Sequence, residues 1–374
     1  MTTATPVAAP ASQGAMPFTV ASRQGVRPAF ETPIATLSAV APTPLNPIIV
    51  PAVGHIRSIL LEVIVSVTGG TSPAWTADGP FNVIQSINFK TASGNDIIVP
   101  VTGYDLMLMN KWGGYYVNGD PRAGRQYTAT ASGAHFFLRL PFEFDSETGL
   151  GSIPALASNR SYTINATLAA TPTAISGAPA VTVQIKGFSE FWHEPPAVST
   201  NGYAQATAPI ATGTLSQWQK EMTGLTPGDK LTKLNNVGNI QRTVIFTARN
   251  ASGARIDVNG WPVSPVEIYL DNELMTHLPT SVWENYMSEW FNLNTAAKDA
   301  VGGLDTGVYV LPFHALAGSL AGDPANSRAQ LLPTLNTASL QIRGSWGSAI
   351  STLEILSNTI IPASGSGFHA IFSK

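Results

Sequence analysis

Catalysis needs particular side chains brought together, so the histidines and the paired acids are the place to look first. The six histidines are His55, His135, His193, His277, His314 and His369, and none stands at metal-ligand spacing from another. His193-Glu194 beside Trp192 is the most site-like cluster, yet a strand end before Pro195-Pro196 explains it without chemistry. Asp145 with Glu147, and Asp271 with Glu273, have the residue types of a glycoside-hydrolysing pair. Spacing along the chain does not supply a facing partner, and both pairs read more simply as solvated or ion-binding loop acids. Asp120-Pro121-Arg122-Ala123-Gly124-Arg125 is a small basic loop suited to lipid headgroups or a neighbour's acids, with a plain solvated turn the simpler reading. There is no HExxH, Walker A loop, GxSxG or GxGxxG. No catalytic, cofactor-binding or metal-ligating residue is assigned, and the chain reads as a non-enzyme.

The bulk composition points the same way. A length of 374 residues suits two domains, each able to bury its own core. Hydrophobic residues make up 44% but charged ones only 11%, against about 25% in an ordinary soluble domain. The surface must then be covered by small and neutral side chains or be buried against neighbouring chains, and the second is the favoured reading. A net charge of −3 gives no electrostatic case for nucleic-acid binding. With no cysteine there is neither a disulfide nor a thiolate metal site. The longest apolar run, Ile59 to Val67, is broken by Glu62 and Ser66 and is too short to span a bilayer. The N-terminus lacks a charged start followed by an apolar core, so no secretory signal is expected.

The elements that would hold any site are mostly strands. Ile59–Val67, Phe81–Phe89, Ile97–Val99, Phe136–Leu140, Tyr162–Leu168 and Val181–Lys186 carry β-type patterns, and Phe81, Val83, Ile87 and Phe89 fall on alternate positions. One helix is predicted over Tyr104–Trp112, capped by Thr102 with Asp105 and stopped by Gly113-Gly114. A second is predicted over Ser281–Phe291, with Ser281 and Glu284 as a capping box. The stripe Tyr104, Met107, Leu108 and Trp112 reads as core. So does Trp283, Tyr286, Met287 and Trp290, one edge of which is free to face a partner barrel or subunit. Residues 1–44, rich in Ala, Thr and Pro, read either as a disordered tail or as an arm ordered against another subunit or a lipid surface. Residues 197–230 read as a junction in which Gln217–Met222 makes a helical turn.

Three landmarks occur twice in the same order. Val53-Gly54-His55-Ile56 matches Val237-Gly238-Asn239-Ile240; a helix ending at Trp112 matches one ending at Trp290; Leu140-Pro141-Phe142 matches Leu311-Pro312-Phe313. Their offsets drift by only a few residues, as expected of duplicated units with loop insertions. Short strands between Gly/Pro turns, with one helix midway in each half, predict an all-β chain of two tandem eight-stranded jelly rolls. The expected division is an arm at 1–44, a first roll at 45–196, a junction at 197–230 and a second roll at 231–374.

This pattern resembles the double jelly-roll major capsid proteins of tectivirus-like bacteriophages, which are tailless and enclose an internal membrane. The resemblance is carried by Pro51-Ala52-Val53-Gly54 entering a long apolar strand, the strand–turn–helix block from Phe81 to Trp112, and Leu140-Pro141-Phe142 before a long acidic loop, and it covers residues 45–374. It implies a homotrimer whose six rolls form a pseudo-hexagonal capsomer, tiling an icosahedral shell beside other capsomers, penton or vertex proteins and minor capsid proteins. It also implies strands roughly perpendicular to the shell, termini near an internal membrane that the N-terminal arm would touch, outward loop towers, and a virion protein assembled in the host cytoplasm. In such a protein the glycosylation-like triplets Asn165-Ala166-Thr167 and Asn250-Ala251-Ser252 read as chance. The competing readings are a carbohydrate-active or carbohydrate-binding double β-sandwich, with Asp145, Glu147 and Trp192 as its loose candidates, and a minor spike or vertex protein.

Overall fold

A computed structural model describes residues 14–115, 133–156, 161–234, 239–256, 263–293, 303–313, 331–334, 337–347 and 349–363. The first half runs α1 (Phe18–Ala21), β1 (Gln24–Glu31), β2 (Ala35–Thr36), β3 (Thr43–Pro44), β4 (Ile48–Val50) and β5 (Gly54–Thr68). A 3-10 turn at Phe81–Val83 then leads into β6 (Ile84–Lys90), β7 (Asp96–Val101), α2 (Gly103–Trp112), β8 (Gly133–Pro141), β9 (Ile153–Ala155), β10 (Tyr162–Leu168), α3 (Thr171–Ala174) and β11 (Ala180–Trp192). The second half runs β12 (Leu215–Gly224), β13 (Gly228–Leu234), β14 (Ile240–Arg249), β15 (Val263–Leu270), β16 (Glu273–Leu278), α4 (Thr280–Phe291), β17 (Val308–Pro312), β18 (Leu332–Pro333), β19 (Leu340–Trp346) and β20 (Thr352–Ile361).

Pairing turns this list into the same object twice. In the first half one sheet has the order β1-β11-β5-β8, and the facing strands run β4-β10-β6-β7. In the second half the orders are β12-β20-β14-β17 and β13-β19-β15-β16. In each half a hairpin (β6-β7, β15-β16) feeds a helix, which returns to an edge strand of the opposite sheet. The fold is therefore all-β, two eight-stranded jelly rolls in tandem, each with an inserted helix. The landmark Leu140-Pro141-Phe142 sits at the end of β8, and Leu311-Pro312-Phe313 at the end of β17, both antiparallel to the opening long strand of their roll. Val237 and Gly238 lie outside the described residues. At their counterpart, Gly54 has φ +129° and its Cα faces the Trp192 carbonyl so closely that a Cβ would lie 2.3 Å from the oxygen. A glycine is the residue that fits there.

The apolar run of β5 resolves into alternation. Ile59, Leu61, Val63, Val65 and Val67 are buried, while Ser66 is exposed. Aromatic rings close the space between the sheets: Phe81 meets Phe136 edge-on at 5.1 Å, and Phe89 lies 4.4 Å from Phe142 and 5.5 Å from Tyr162.

Four local expectations fail. The strand expected over Phe81–Phe89 begins only at Ile84, because Phe81–Val83 form a 3-10 turn. Gln217–Met222 is no helical turn; it lies within β12, where Ser216 and Trp218 are buried on alternate positions and all ten residues pair with β20. The stretch expected as a junction thus contributes β12 and β13 to the second roll. Likewise, residues 14–44 are ordered on this chain itself, since β1 pairs with β11 from Gln24↔Trp192 to Glu31↔Lys186, and Phe18 and Leu37 are buried. Finally, α4 starts at Thr280 behind Pro279, so Ser281 lies inside the helix and makes no capping box with Glu284. The box at Thr102 and Asp105 does form, with Asp105 N–H donating to Thr102 Oγ1 (3.1 Å) and Thr102 N–H donating to Asp105 Oδ2 (2.8 Å).

Candidate functional site at the seam between the rolls

The two rolls share one sheet. β12 of the second roll lies parallel to β7 of the first through the pair Trp218↔Ile98, joining a path that runs β17-β14-β20-β12-β7-β6-β10-β3. Above this join sits α2. A helix at a protein surface keeps one polar face, but every residue of α2 except Lys111 is buried. Its start is held close to the 3-10 turn, since a Cβ on Gly103 would lie 2.0 Å from the Phe81 carbonyl oxygen. Its other side is covered by the second roll, where Trp112 meets Phe291 of α4 at 5.1 Å and Tyr104 Oη donates to the Leu304 carbonyl (2.5 Å).

Around α2 runs a chain of charges from both rolls. Asp78 accepts from Arg255 Nε (2.6 Å) and Arg249 Nη1 (2.9 Å). Arg249 also reaches Glu354 (3.0 Å), Glu354 pairs with Lys220, and Lys220 pairs with Asp105 at 2.7 Å. Arg255 spends its remaining N–H groups on the carbonyls of Ala77 (2.6 Å), Thr306 (2.7 Å), Gly303 (3.1 Å) and Leu304 (3.2 Å), and its guanidinium lies 4.6 Å over the Tyr104 ring. Lys111 bridges to Asp305 and to the Asn292 carbonyl. Buried charges are tolerated when paired and hydrogen-bonded, and these pairs cross between the rolls at Arg249–Asp78, Arg255–Asp78, Lys220–Asp105 and Lys111–Asp305. Although burial opposes it, Arg255 and Arg249 hold the Asp78 carboxyl below its ordinary value. Despite its own burial, Glu354 is likewise held low by Lys220 and Arg249. Burial, and then the Glu354 charge, push Asp105 up to about 6 against the pull of Lys220.

Asp105 has a consequence that can be measured. Its folded pKa lies above the ordinary 3.8, so the fold binds its proton more tightly than the unfolded chain. Its contribution to stability is complete below about pH 4 and is lost as pH rises through about 6. Asp78 and Glu354 have the opposite sign, contributing above the ordinary carboxylate range and losing that contribution as pH falls below it. Asp105→Asn keeps an acceptor for the Thr102 N–H. Thermal unfolding midpoints taken from pH 4 to 7 should fall with rising pH in the wild type and stay flatter in D105N.

The residues singled out by sequence lie elsewhere and do not converge. Asp145 is buried and spent on its own loop, accepting from the Glu147 N–H (3.0 Å) and the Thr148 hydroxyl (2.7 Å). Asp271, with Asn272, forms a two-residue left-handed turn and accepts from the N–H groups of Ala338 and Ser339 (2.9 Å each), while Glu273 is exposed. His193 lies edge-on to Phe191, and its N–H donates to the Arg23 carbonyl. His135 pairs with Glu62 (2.9 Å) and His277 with Glu267 (3.1 Å). Burial holds His55 low, against Phe18. The basic loop at 120–125, His314 and His369 lie outside the described residues. Among the described residues no group of His, Asp and Glu could hold a metal ion, and no helix is long and apolar enough to cross a membrane.

A cleft of about 400 Å³ does hold two acids, but they are Glu143 and Glu190, which the sequence reading missed; Trp192 is buried behind Glu143 and does not line it. Glycoside hydrolysis needs one protonated and one ionised carboxyl presented to the sugar. Here Glu143 gives one oxygen to Arg57 (2.7 and 2.8 Å) and the other to Trp192 Nε1 (2.5 Å). Glu190 gives both oxygens to Arg139 (2.8 and 2.9 Å), and Ser58 adds a further bond. Both carboxyls are committed to the walls of the cleft.

No family model matches the sequence, and no curated protein does. Solved structures do. The STIV MCP matches with a TM-score of 0.61 at 14% identity, over 91% of this chain and 97% of that one. The PBCV-1 virus capsid matches at 0.58 and 12% identity, over 91% and 94%. The major capsid protein P2 from bacteriophage PM2 matches at 0.51 and 11% identity, over 92% and 100%. The chain has the double jelly-roll fold of these viral major capsid proteins, with each match covering more than nine-tenths of it.

Proposed function

We propose that this chain is the major subunit of a viral capsid, a non-catalytic shell protein that associates as trimers of pseudo-hexagonal outline. The observation that carries this reading is the repeated strand order of two rolls, locked at a fixed angle by one sheet and a buried ionic seam. A trimer of such chains offers six similar lobes, and a six-lobed block can tile a curved shell with near-equivalent edges. The low charged content suits flanks that are buried against copies. The capsid proteins among the fold neighbours support the same role. Within this reading the chain divides between Trp192 and Leu215, and the N-terminal arm is the part that would meet an internal membrane. Neighbouring capsomers, vertex proteins and minor capsid proteins are its remaining partners, in a virion assembled in the host cytoplasm.

The test is the native mass. Light scattering on purified protein should give three times the 39.3 kDa chain mass, and under assembly conditions electron microscopy should show closed shells. A protein that stays monomeric at high concentration sinks the proposal. A trimer that is scarce in the virion on a stained gel would move it to the spike or vertex role.

A further inference from the structure

The duplication makes the two rolls comparable residue by residue, and the comparison exposes an unfilled half of a contact that the chain makes once internally. Strand register fixes the correspondence. Leu140 pairs with Ile59 and Leu311 with Val244, so Ile59 corresponds to Val244. Ile59 pairs with Ser189, and Val244 with Ser357. One position further along those strands, Glu190 pairs with Val26 on β1 and Asn358 with Trp218 on β12. Val26 therefore holds in the first roll the place that Trp218 holds in the second. On the other side of the contact, Ile98 precedes the α2 cap, Thr102, by four residues, and Met275 precedes the α4 cap, Pro279, by four.

The internal pair is fully covered, since Trp218 and Ile98 are each 0% exposed. The corresponding outer pair is open, with Val26 63% and Met275 48% exposed. Leu274 is 47% exposed, where Ile97 before it is 2%. The helices repeat the contrast: α2 is buried nearly all round, whereas Val282 and Tyr286 of α4 are 39% and 37% exposed. β1 pairs only with β11, and β16 only with β15, among the described residues, so both are sheet edges with apolar side chains showing. Open edges of this kind invite strand pairing.

We propose that β1 of one copy docks against β16 and the outer face of α4 of a second copy, repeating between chains the β12–β7 contact and the covering of α2 within the chain. The occupant is another copy of this chain, because the chain already contains the matching half of each surface and its internal seam shows the two halves fitting. The contact is head-to-tail, first roll to second roll, and so closes into a ring rather than stopping at a two-fold pair. It differs from the internal seam in character. Pro28 stands where Lys220 makes its ion pairs, so the contact between chains is apolar where the contact within the chain is ionic. This inference rests on the trimer reading and specifies its surfaces.

The chain has no cysteine, which permits a direct test. Val26→Cys with Met275→Cys, and Val26→Cys with Leu274→Cys as a second register, should cross-link on mild oxidation. Non-reducing gels should then move most of the chain from the monomer band to a ladder that ends at trimer. Each single-cysteine variant should stay monomeric on the same gel. All substituted positions are about half exposed or more, so folding should survive, and circular dichroism checks that it does. If light scattering gives a trimer but neither pair cross-links between chains, the docking surfaces are wrong while the shell-subunit reading stands. If Val26→Cys alone links to itself, the contact is two-fold and the inference falls. If the unsubstituted protein is monomeric, both readings fall together.

Discussion

Replacing Arg255 by alanine is expected to cost the fold about 3–5 kcal/mol, the range for stripping one partner from a buried ion pair. The side chain is 1% exposed and bonds Asp78 together with the carbonyls of Ala77, Gly303, Leu304 and Thr306. Its loss leaves the Asp78 carboxylate on the first roll with Arg249 as its remaining charged donor, and takes a donor from several carbonyls beside it. Lysine cannot restore the fork of donors, so Arg255→Lys should recover little. Adding Asp78→Asn to R255A should recover part of the loss, because the half-paired buried charge disappears. Guanidinium unfolding midpoints for the three variants decide this, and R255A within about 1 kcal/mol of the wild type would show that the seam is not under the tension its bonding implies.

Trp218→Ala should be comparably severe, again about 3–5 kcal/mol for a fully buried tryptophan, but with a different signature. Trp218 stands at the one bridge that makes β12 and β7 neighbours in a sheet. Emptying that position removes the packing that couples the rolls while leaving each roll's own core in place. The wild type should unfold in a single step followed by tryptophan fluorescence and far-ultraviolet dichroism together. In W218A the two probes should separate into two transitions. Coincident curves in the variant would mean the coupling resides in the charges around α2 rather than in the strand contact.

Patterns that a strand or turn satisfies locally were readable in advance. The period-two burial of β5, the Thr102–Asp105 cap and the paired landmarks at Leu140 and Leu311 all depend on neighbours close in sequence or on a repeat of the sequence itself. The failures share a different cause. Gln217 to Met222 has the long side chains of a helix, yet it becomes β12 because β20 offers ten paired positions and because Lys220 finds Asp105 across a separation of 115 residues. The seam was invisible for the same reason, since Arg255 and Asp78 are 177 residues apart. One signal was present: Arg242, Arg249 and Glu354 lie inside strands that are otherwise uncharged, in a chain with only 20 Lys and Arg. Charges at such places require distant partners, although nothing in one sequence says which. The acids flagged as a pair, Asp145 and Glu147, sit two apart on one loop, where the first serves the backbone of the second.

The all-round burial of α2 bears on how such a chain can change over time. In an ancestral single barrel this helix would have needed one face fit for water. Here that face is gone, replaced by Tyr104 and Trp112 turned toward the second roll's elements. A gene that lost its second half would therefore produce a barrel with an insoluble flank. The doubling works as a ratchet: once the helix adapted to its covered position, descent back to one barrel was closed, while copies of the pair remained free to diverge at their outer rims.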